Sequence, residues 1–192
     1  MNIYSFYKPI GIAQQPEEFA CANLWKESWT KRGWNPVMLN LSHCNASPLL
    51  GKLSSKIALA QADASSEVRT RMEWMLTRFI RWCALHACGG GWMSDYDVVN
   101  LSFTPKIALH LEGEFGLHVV DGPAFLFYAT AKYAEQVIQR FIAEPLFENG
   151  MLRSEASILN AVHNLEPVLE LVMRAKKVGN MPKSEMMKEA ML

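Results

Sequence analysis

The sequence predicts an α/β protein with a mostly parallel central sheet flanked by helices. The chain opens with a strand-like segment at residues 3–7, a helical segment from Pro16 and a second strand-like segment at 35–41. A strand, a crossover helix and a second strand favour parallel pairing with a right-handed connection. Apolar segments of strand length then alternate with helical patterns, which is typical of the same class.

The first helix has clear signals at both ends. Pro16 begins it, acidic residues follow in its first turn, Lys31 and Arg32 lie in its last turn, and Gly33 comes directly after. Residues 3–7 contain the aromatic and β-branched side chains that strands prefer. We therefore expect a strand, a helix and a strand in the first 41 residues.

Further elements are predicted from periodicity and from breakers. Residues 42–65 have weak helical signals and are interpreted as a loop with one short helix. The next predicted elements are a helix at 66–88 stopped by three glycines, a strand at 92–100 that ends in an aspartate pair, short strands at 105–111 and 117–120, an apolar strand at 123–129, and helices at 131–147 and 154–177.

The size and charge of the chain limit its class. Its 192 residues predict a single domain, placed at residues 1–178, with 179–192 as a peripheral helix or flexible tail. The 19 basic and 19 acidic residues balance, so nothing predicts electrostatic capture of nucleic acid. No signal sequence or membrane-spanning run is found, and four cysteines lack metal or scaffold spacing. These features predict a soluble, unprocessed cytoplasmic protein with reduced thiols.

Asp95 and Asp97 suggest a metal site. If both lie in a strand, they point to the same face and their carboxylates repel each other. A hard divalent cation bound by oxygen ligands would relieve that repulsion, and the carboxyl end of a parallel sheet is where α/β proteins bind ligands. The alternative is that both aspartates lie in a turn and face solvent.

The segment RWCALHACGGGWMSDYDVV, residues 81–99, resembles the sugar-binding region of DXD-containing glycosyltransferases of the GT-A fold, which is related to the Rossmann fold. That class includes yeast-type mannosyltransferases and the glucosylating domains of clostridial toxins. The resemblance covers about residues 1–100. One extra residue separates the glycines from the first aspartate, and Arg78 stands where the family often has Asp. The matching residues are, in order, Arg81, Leu85, Gly89, Gly90, Trp92, Asp95 and Asp97.

The resemblance implies a nucleotide-diphospho-sugar donor, a Mn²⁺ or Mg²⁺ ion and transfer with retention. It implies that Asp97 coordinates the ion, and that Asp95 reaches sugar or ribose hydroxyls and water bound to the metal. Each further residue also has a structural explanation. By resemblance, Arg81 contacts the sugar or the phosphate, and Gly90 leaves room for the ligand. Trp92 would line the pocket and Tyr7 would stack on the base. The structural alternatives are a solvated or ion-paired side chain for Arg81 and packing in the core for Trp92 and Tyr7.

In the carboxyl half, two acidic residues are candidates for the reaction centre. By resemblance, Asp121 is the acceptor-side polar residue before an apolar strand, although it is equally a turn residue. Also by resemblance, Glu155 is an acidic residue near the reaction centre, although capping of the first turn of a helix explains it as well. The resemblance also makes His118 or His163 a candidate third metal ligand, and each also has a structural explanation.

The resulting expectation is a metal-dependent glycosyltransferase whose acceptor is a glycan, a protein or a small molecule. One alternative is an inactive module of the same fold that binds a nucleotide sugar. The other is a metal-dependent nucleotidyltransferase or phosphohydrolase, although the sequence contains no GxxxxGK[ST] phosphate loop. An oligomer is compatible with the sequence.

Overall fold

A computed structural model describes residues 1–7, 16–62, 66–110, 117–118, 126–148 and 151–153 of the chain. The helices and strands in these residues are β1 (Asn2–Phe6), α1 (Pro16–Lys31), β2 (Asn35–Leu39), α2 (Leu41–Cys44), α3 (Leu50–Ala62), α4 (Ser66–Ala87), β3 (Gly90–Ser94), α5 (Pro105–Leu109), β4 (Leu117–His118), β5 (Leu126–Thr130), α6 (Ala131–Ala143), β6 (Phe147–Glu148) and β7 (Met151–Leu152).

Five strands form one mixed sheet in the order β2-β1-β3-β5-β4. The pairs β1 with β2 and β1 with β3 are parallel, whereas β3 with β5 and β4 with β5 are antiparallel. The prediction of an α/β protein is therefore confirmed. The expectation of a mostly parallel sheet is met in part: β2, β1 and β3 are parallel neighbours, whereas β5 runs against both of its neighbours, β3 and β4, so the sheet is mixed.

Each face of the sheet is covered by helices, and alternate strand residues supply the two cores. Tyr4, Met93 and Phe127 pack with buried residues of α3, α4 and α6 in one cluster. Ile3 and Trp92 pack on the opposite face with tryptophans of α1. Since successive strand side chains point to opposite faces, this alternation produces helical layers on both sides of the sheet.

The opening βαβ unit was predicted well because its signals are local. Helix α1 occupies Pro16–Lys31, and the chain reverses at Gly33 with a positive φ of 84°. The Trp34 amide donates to the Trp29 carbonyl at 3.2 Å, which satisfies an orphan carbonyl of the last turn. The reversal returns the chain to the edge of β1, where β2 pairs in parallel.

Two stretches differ from the expectation. Residues 42–65, expected to be mostly loop, contain most of α2 and a 13-residue helix, α3. Residues 105–111, expected to be a strand, begin with the helix α5. Thr104 caps α5 by accepting from the Ile107 amide at 3.4 Å, and Pro105 at the first position fits a helix start.

Helix α6 ends at Ala143, earlier than expected, and Phe147–Glu148 and Met151–Leu152 form the small antiparallel pair β6 and β7. The helix predicted at 154–177 and the boundary placed at 178 lie outside the described residues. Within the part of the chain that the structure describes, no helix is long and apolar enough to cross a bilayer.

All four cysteines are free thiols, as the sequence predicted. Burial raises the pKa of Cys44 to about 12 and that of Cys83 to about 11. Both thiols therefore stay protonated and pack as small apolar groups between α2 and α4.

Candidate functional site

The order of the strands creates a switch point between β1 and β3. From β1 the chain crosses through α1 to β2 on one side, then returns through α2, α3 and α4 to β3 on the other side. Because β1 and β3 are parallel, their carboxyl ends, at Phe6 and Ser94, meet at the same edge of the sheet. Ligands of α/β proteins bind outside such an edge.

A polar cavity of about 110 Å³ lies at this edge. It has room for a cation with several water molecules, although a whole nucleotide sugar would extend beyond it. Its charged side chains are two arginines and two aspartates, so their formal charges balance. The lining residues are Phe6 from β1, Thr77, Arg78 and Arg81 from α4, and Asp95, Tyr96 and Asp97 after β3.

An ion pair joins α4 to the segment after β3. Nη1 of Arg81 donates to Oδ1 of Asp95 at 2.6 Å, and the two side chains are 5% and 22% exposed. The guanidinium also lies 5.0 Å from the centre of the Phe127 ring. A charged hydrogen bond with little water around it fixes both side chains. Arg81 is thus a buried, ion-paired residue of the site and does not belong to an exposed helical face.

We expected the two aspartates to lie in a strand, and the structure shows that they do not. Strand β3 ends at Ser94, and the Val98 amide donates to the Asp95 carbonyl at 3.1 Å, which closes a turn over 95–98. Aspartate favours such turns because its side chain bonds to nearby backbone. Alternation along a strand therefore does not set the direction of these carboxylates. Both still line the cavity, with Asp95 half-buried and Asp97 exposed.

Arg81 also changes the electrostatic argument for a metal. The sequence suggested that paired carboxylates need a cation between them, but the guanidinium already balances the charge of Asp95. Repulsion between Asp95 and Asp97 alone therefore does not require a metal ion.

The donor set fits a hard cation with few protein ligands. Among the described residues, no group of three histidine, cysteine or acidic side chains is placed to hold a metal. Mg²⁺ and similar ions commonly bind through one or two carboxylates and take their other ligands from water and substrate phosphates. Asp97, with Asp95 beside it on the same turn, matches that minimal set.

Tyr7, for which the resemblance implies stacking on the base, does not line the cavity but contacts the lining residue Tyr96. Its ring meets the Tyr96 ring edge-on with 5.6 Å between centroids. This contact joins the segments that follow β1 and β3. The two tyrosine rings therefore pack against each other at the switch point.

Gly90 and Trp92 do not line this cavity. Gly90 lies at the amino end of β3, and a Cβ there would sit 2.5 Å from the Ala129 carbonyl oxygen and 2.6 Å from the Ala131 nitrogen. The close approach that needs this glycine is therefore to β5 and α6. Trp92 is 1% exposed and packs against Trp34 and other aromatic rings, so the structural explanation holds for its side chain.

Four lining residues had no predicted role in the sequence, namely Phe6, Thr77, Arg78 and Tyr96. Thr77 and Arg81 are four residues apart on α4 and so lie on the same face of the helix. This spacing could have predicted that Thr77 lies at the same site as Arg81. Tyr96 is the middle residue of the Asp-x-Asp pattern. Asp121, Glu155 and His163 lie outside the described residues, and His118 belongs to β4 at the edge of the sheet.

A larger open groove of about 900 Å³ lies between α3 and the end of α6. Its walls are mainly apolar, and Lys52 and Lys56 are its charged residues. The Lys56 ammonium donates to the carbonyls of Ile142 and Glu144 at the end of α6. Because the Lys56 ammonium is bonded to the end of α6, the groove has fewer charged groups available to bind a ligand than the smaller cavity at the switch point.

No family model, no curated protein and no solved structure matches the chain. The function is therefore inferred from the residues of the site and their geometry.

Proposed function

We propose that the protein is a metal-dependent glycosyltransferase of GT-A type that uses a nucleotide-diphospho-sugar donor. The observation that carries the proposal is the turn of Asp95, Tyr96 and Asp97 at the switch point, with Arg81 bonded to the first aspartate. The resemblance of residues 81–99 implies that Asp95, Asp97 and Arg81 all contribute to one ligand site, and these three residues line the same cavity.

The charges of the cavity favour joint binding of a cation and a diphosphate. Arg78, Arg81, Asp95 and Asp97 balance one another, so a divalent ion alone would leave an excess of two positive charges. The diphosphate of a nucleotide sugar carries two negative charges and would restore the balance. We therefore expect each ligand to strengthen the binding of the other, as linkage requires.

The side chains then take distinct roles. Asp97, the more exposed carboxylate, holds the cation, and Asp95 is kept in one orientation by Arg81 so that it can accept from hydroxyl groups of the donor. When bound, the cation stabilises negative charge on the departing diphosphate as a Lewis acid. Arg78 adds a second positive group at the cavity. Retention is proposed from the resemblance alone.

The test is a panel of nucleotide-diphospho-sugars, screened by thermal shift with and without Mn²⁺. At a hundredfold excess over Kd, binding adds about 2.7 kcal/mol of stability, which is about 5–10 °C for a chain of this size. We expect this shift to require Mn²⁺ and to vanish in Asp97→Asn. Glu27→Gln is the matched control, because it removes one exposed carboxylate from α1.

Release of nucleoside diphosphate from the stabilising donor then separates the candidate functions. Transfer to an acceptor, or slow hydrolysis of the donor, would support the enzyme. Metal-dependent binding with no release would support the inactive binding module. Hydrolysis to nucleoside monophosphate and sugar 1-phosphate would support a phosphohydrolase, and transfer of the nucleoside monophosphate to another group with release of sugar 1-phosphate would support a nucleotidyltransferase. Equal shifts in the wild type and Asp97→Asn would refute the proposed site.

A further inference from the structure

Three indole N–H groups from α1 and the turn after it bond to residues on both sides of the aspartate site, one before it and two after it. All three donors and their acceptors are buried. The bonds run from Trp25 to Oγ of Ser94 at 2.8 Å, from Trp29 to the carbonyl of Val98 at 3.1 Å, and from Trp34 to the carbonyl of Phe103 at 2.7 Å.

Two of these bonds bracket the aspartate turn. Ser94 is the last residue of β3, and Val98 is the residue whose amide closes the turn onto Asp95. Trp25 and Trp29 are one helical turn apart, so they lie on one face of α1. One rigid helix thus holds both ends of the arc that carries the carboxylates.

A further set of bonds fixes the chain after the turn. The Asn100 amide donates to Oγ of Ser28 at 3.1 Å, and the Asn100 side chain both donates to the Phe103 carbonyl and accepts from the Phe103 amide at 2.8 Å. Ser28 in turn donates to the Trp25 carbonyl at 3.0 Å. The segment after β3 is therefore tied to α1 by side chains where strand pairing has ended.

Burial makes these contacts specific. Trp25 is fully buried, and Trp29 and Ser94 are each 1% exposed. A buried N–H that loses its acceptor cannot turn to water, so alternative turn conformations are strongly disfavoured. A packing role alone would be met by any large apolar ring, whereas the three indole donors each need one particular acceptor: the Ser94 hydroxyl, the Val98 carbonyl and the Phe103 carbonyl.

We propose that Trp25 and Trp29 are positioning residues, which hold Ser94 and Val98 so that the intervening aspartates meet a cation and a diphosphate in a fixed geometry. The ligand-binding half of this inference rests on the proposed function. Its structural half, that α1 sets the conformation of the turn, does not.

The experiment compares Ser94→Ala and Trp29→Phe with Trp34→Phe. Trp34→Phe is the matched control, since it removes an indole donor from the same aromatic cluster but frees an acceptor five residues beyond Val98. Two quantities are measured in each variant: the exchange rate of the Val98 amide proton by NMR, and the Mn²⁺ concentration that gives half-saturation in the presence of a stabilising nucleotide sugar.

We expect the Val98 amide to exchange about tenfold faster in Ser94→Ala and Trp29→Phe, which corresponds to the loss of one hydrogen bond of typical strength. The Mn²⁺ requirement should rise by a similar factor in these two variants. In Trp34→Phe both should stay within about twofold of the wild type, even if the melting temperature falls, so general destabilisation is separated from positioning.

Unchanged Val98 exchange in both Ser94→Ala and Trp29→Phe would overturn the inference, as would an equal effect in Trp34→Phe. Faster exchange with an unchanged Mn²⁺ requirement would overturn the positioning role and leave only a structural one. If the wild type binds no nucleotide sugar, the proposed function fails, and the exchange rates still decide whether α1 holds the turn.

Discussion

Replacing Arg81 by methionine tests the ion pair at the centre of the site. The substitution keeps much of the apolar stem but removes the 2.6 Å bond to Asp95 and the contact with the Phe127 ring. Breaking a buried pair by removing one partner costs about 3–5 kcal/mol. Because the Asp95 side chain is 22% exposed, water can partly solvate the remaining carboxylate. We therefore expect the lower end, about 3 kcal/mol, or a fall in Tm of about 6–12 °C.

The assay is urea unfolding followed by tryptophan fluorescence, with a double-mutant cycle of Arg81→Met and Asp95→Asn. The coupling free energy between the two sites should be about 2–3 kcal/mol, because removing the second partner relieves the unpaired charge. Arg140→Gln is the control, since Arg140 is 50% exposed and pairs with Glu144 at 3.4 Å on the surface of α6. That loss should stay below about 1 kcal/mol.

Either of two results would refute the claim that the ion pair between Arg81 and Asp95 stabilises the site. One is an Arg81→Met variant that is no less stable than Arg140→Gln. The other is a coupling free energy below about 0.5 kcal/mol, which is within the error of additivity for independent positions.

Two further predictions concern packing and pH. Gly90→Ala should lower the free energy of unfolding by about 3 kcal/mol or more, because the new Cβ would press on the backbone of β5 and α6 at a φ of 87°. The control is Gly51→Ala in α3, which has open space around it and should raise the free energy of unfolding by up to about 1 kcal/mol. Equal melting temperatures of the two variants would contradict the close contact at Gly90. The pKa values of Cys44 and Cys83, about 12 and about 11, lie above the ordinary 9.0, so the folded state holds protons that the unfolded state releases. Stability should therefore be intact below pH 9 and fall between pH 9 and 11, by about 1.4 kcal/mol per pH unit for each thiol. Cys83→Ala should show a shallower fall in urea midpoint over this range, and an unchanged slope would contradict the buried thiol.

Much of the fold could be predicted because its signals are local. Pro16 and Gly33 bound α1 as the sequence indicates, and the long helix α4 follows from its apolar periodicity. Helix α5 was missed because five residues with Pro at the start are too few to show a helical period, and the Thr104 cap that begins it resembles an ordinary loop residue. Helix α3 was missed because its many small residues give weak periodicity.

The candidate site was predicted in position but not in geometry. Asp95 and Asp97 do lie at the carboxyl end of a central strand. Whether a strand continues past Ser94 depends on its neighbours in the sheet, which a single sequence does not contain. Arg81 pairs with Asp95, and the indoles of α1 bond to residues after α4. These contacts join separate elements, so no local spacing in the sequence predicts them.

The most direct test of the central claim, that the Asp95 to Asp97 turn binds a divalent cation together with a diphosphate, is a Mn²⁺ titration followed by electron paramagnetic resonance of the free ion. It is carried out with and without the nucleotide sugar that stabilises the protein. The account predicts one Mn²⁺ per chain, bound more tightly when the donor is present, and a loss of affinity of at least about tenfold in Asp97→Asn but not in Glu27→Gln. A Mn²⁺ affinity that is the same in the wild type and Asp97→Asn, or that does not respond to the donor, would contradict it.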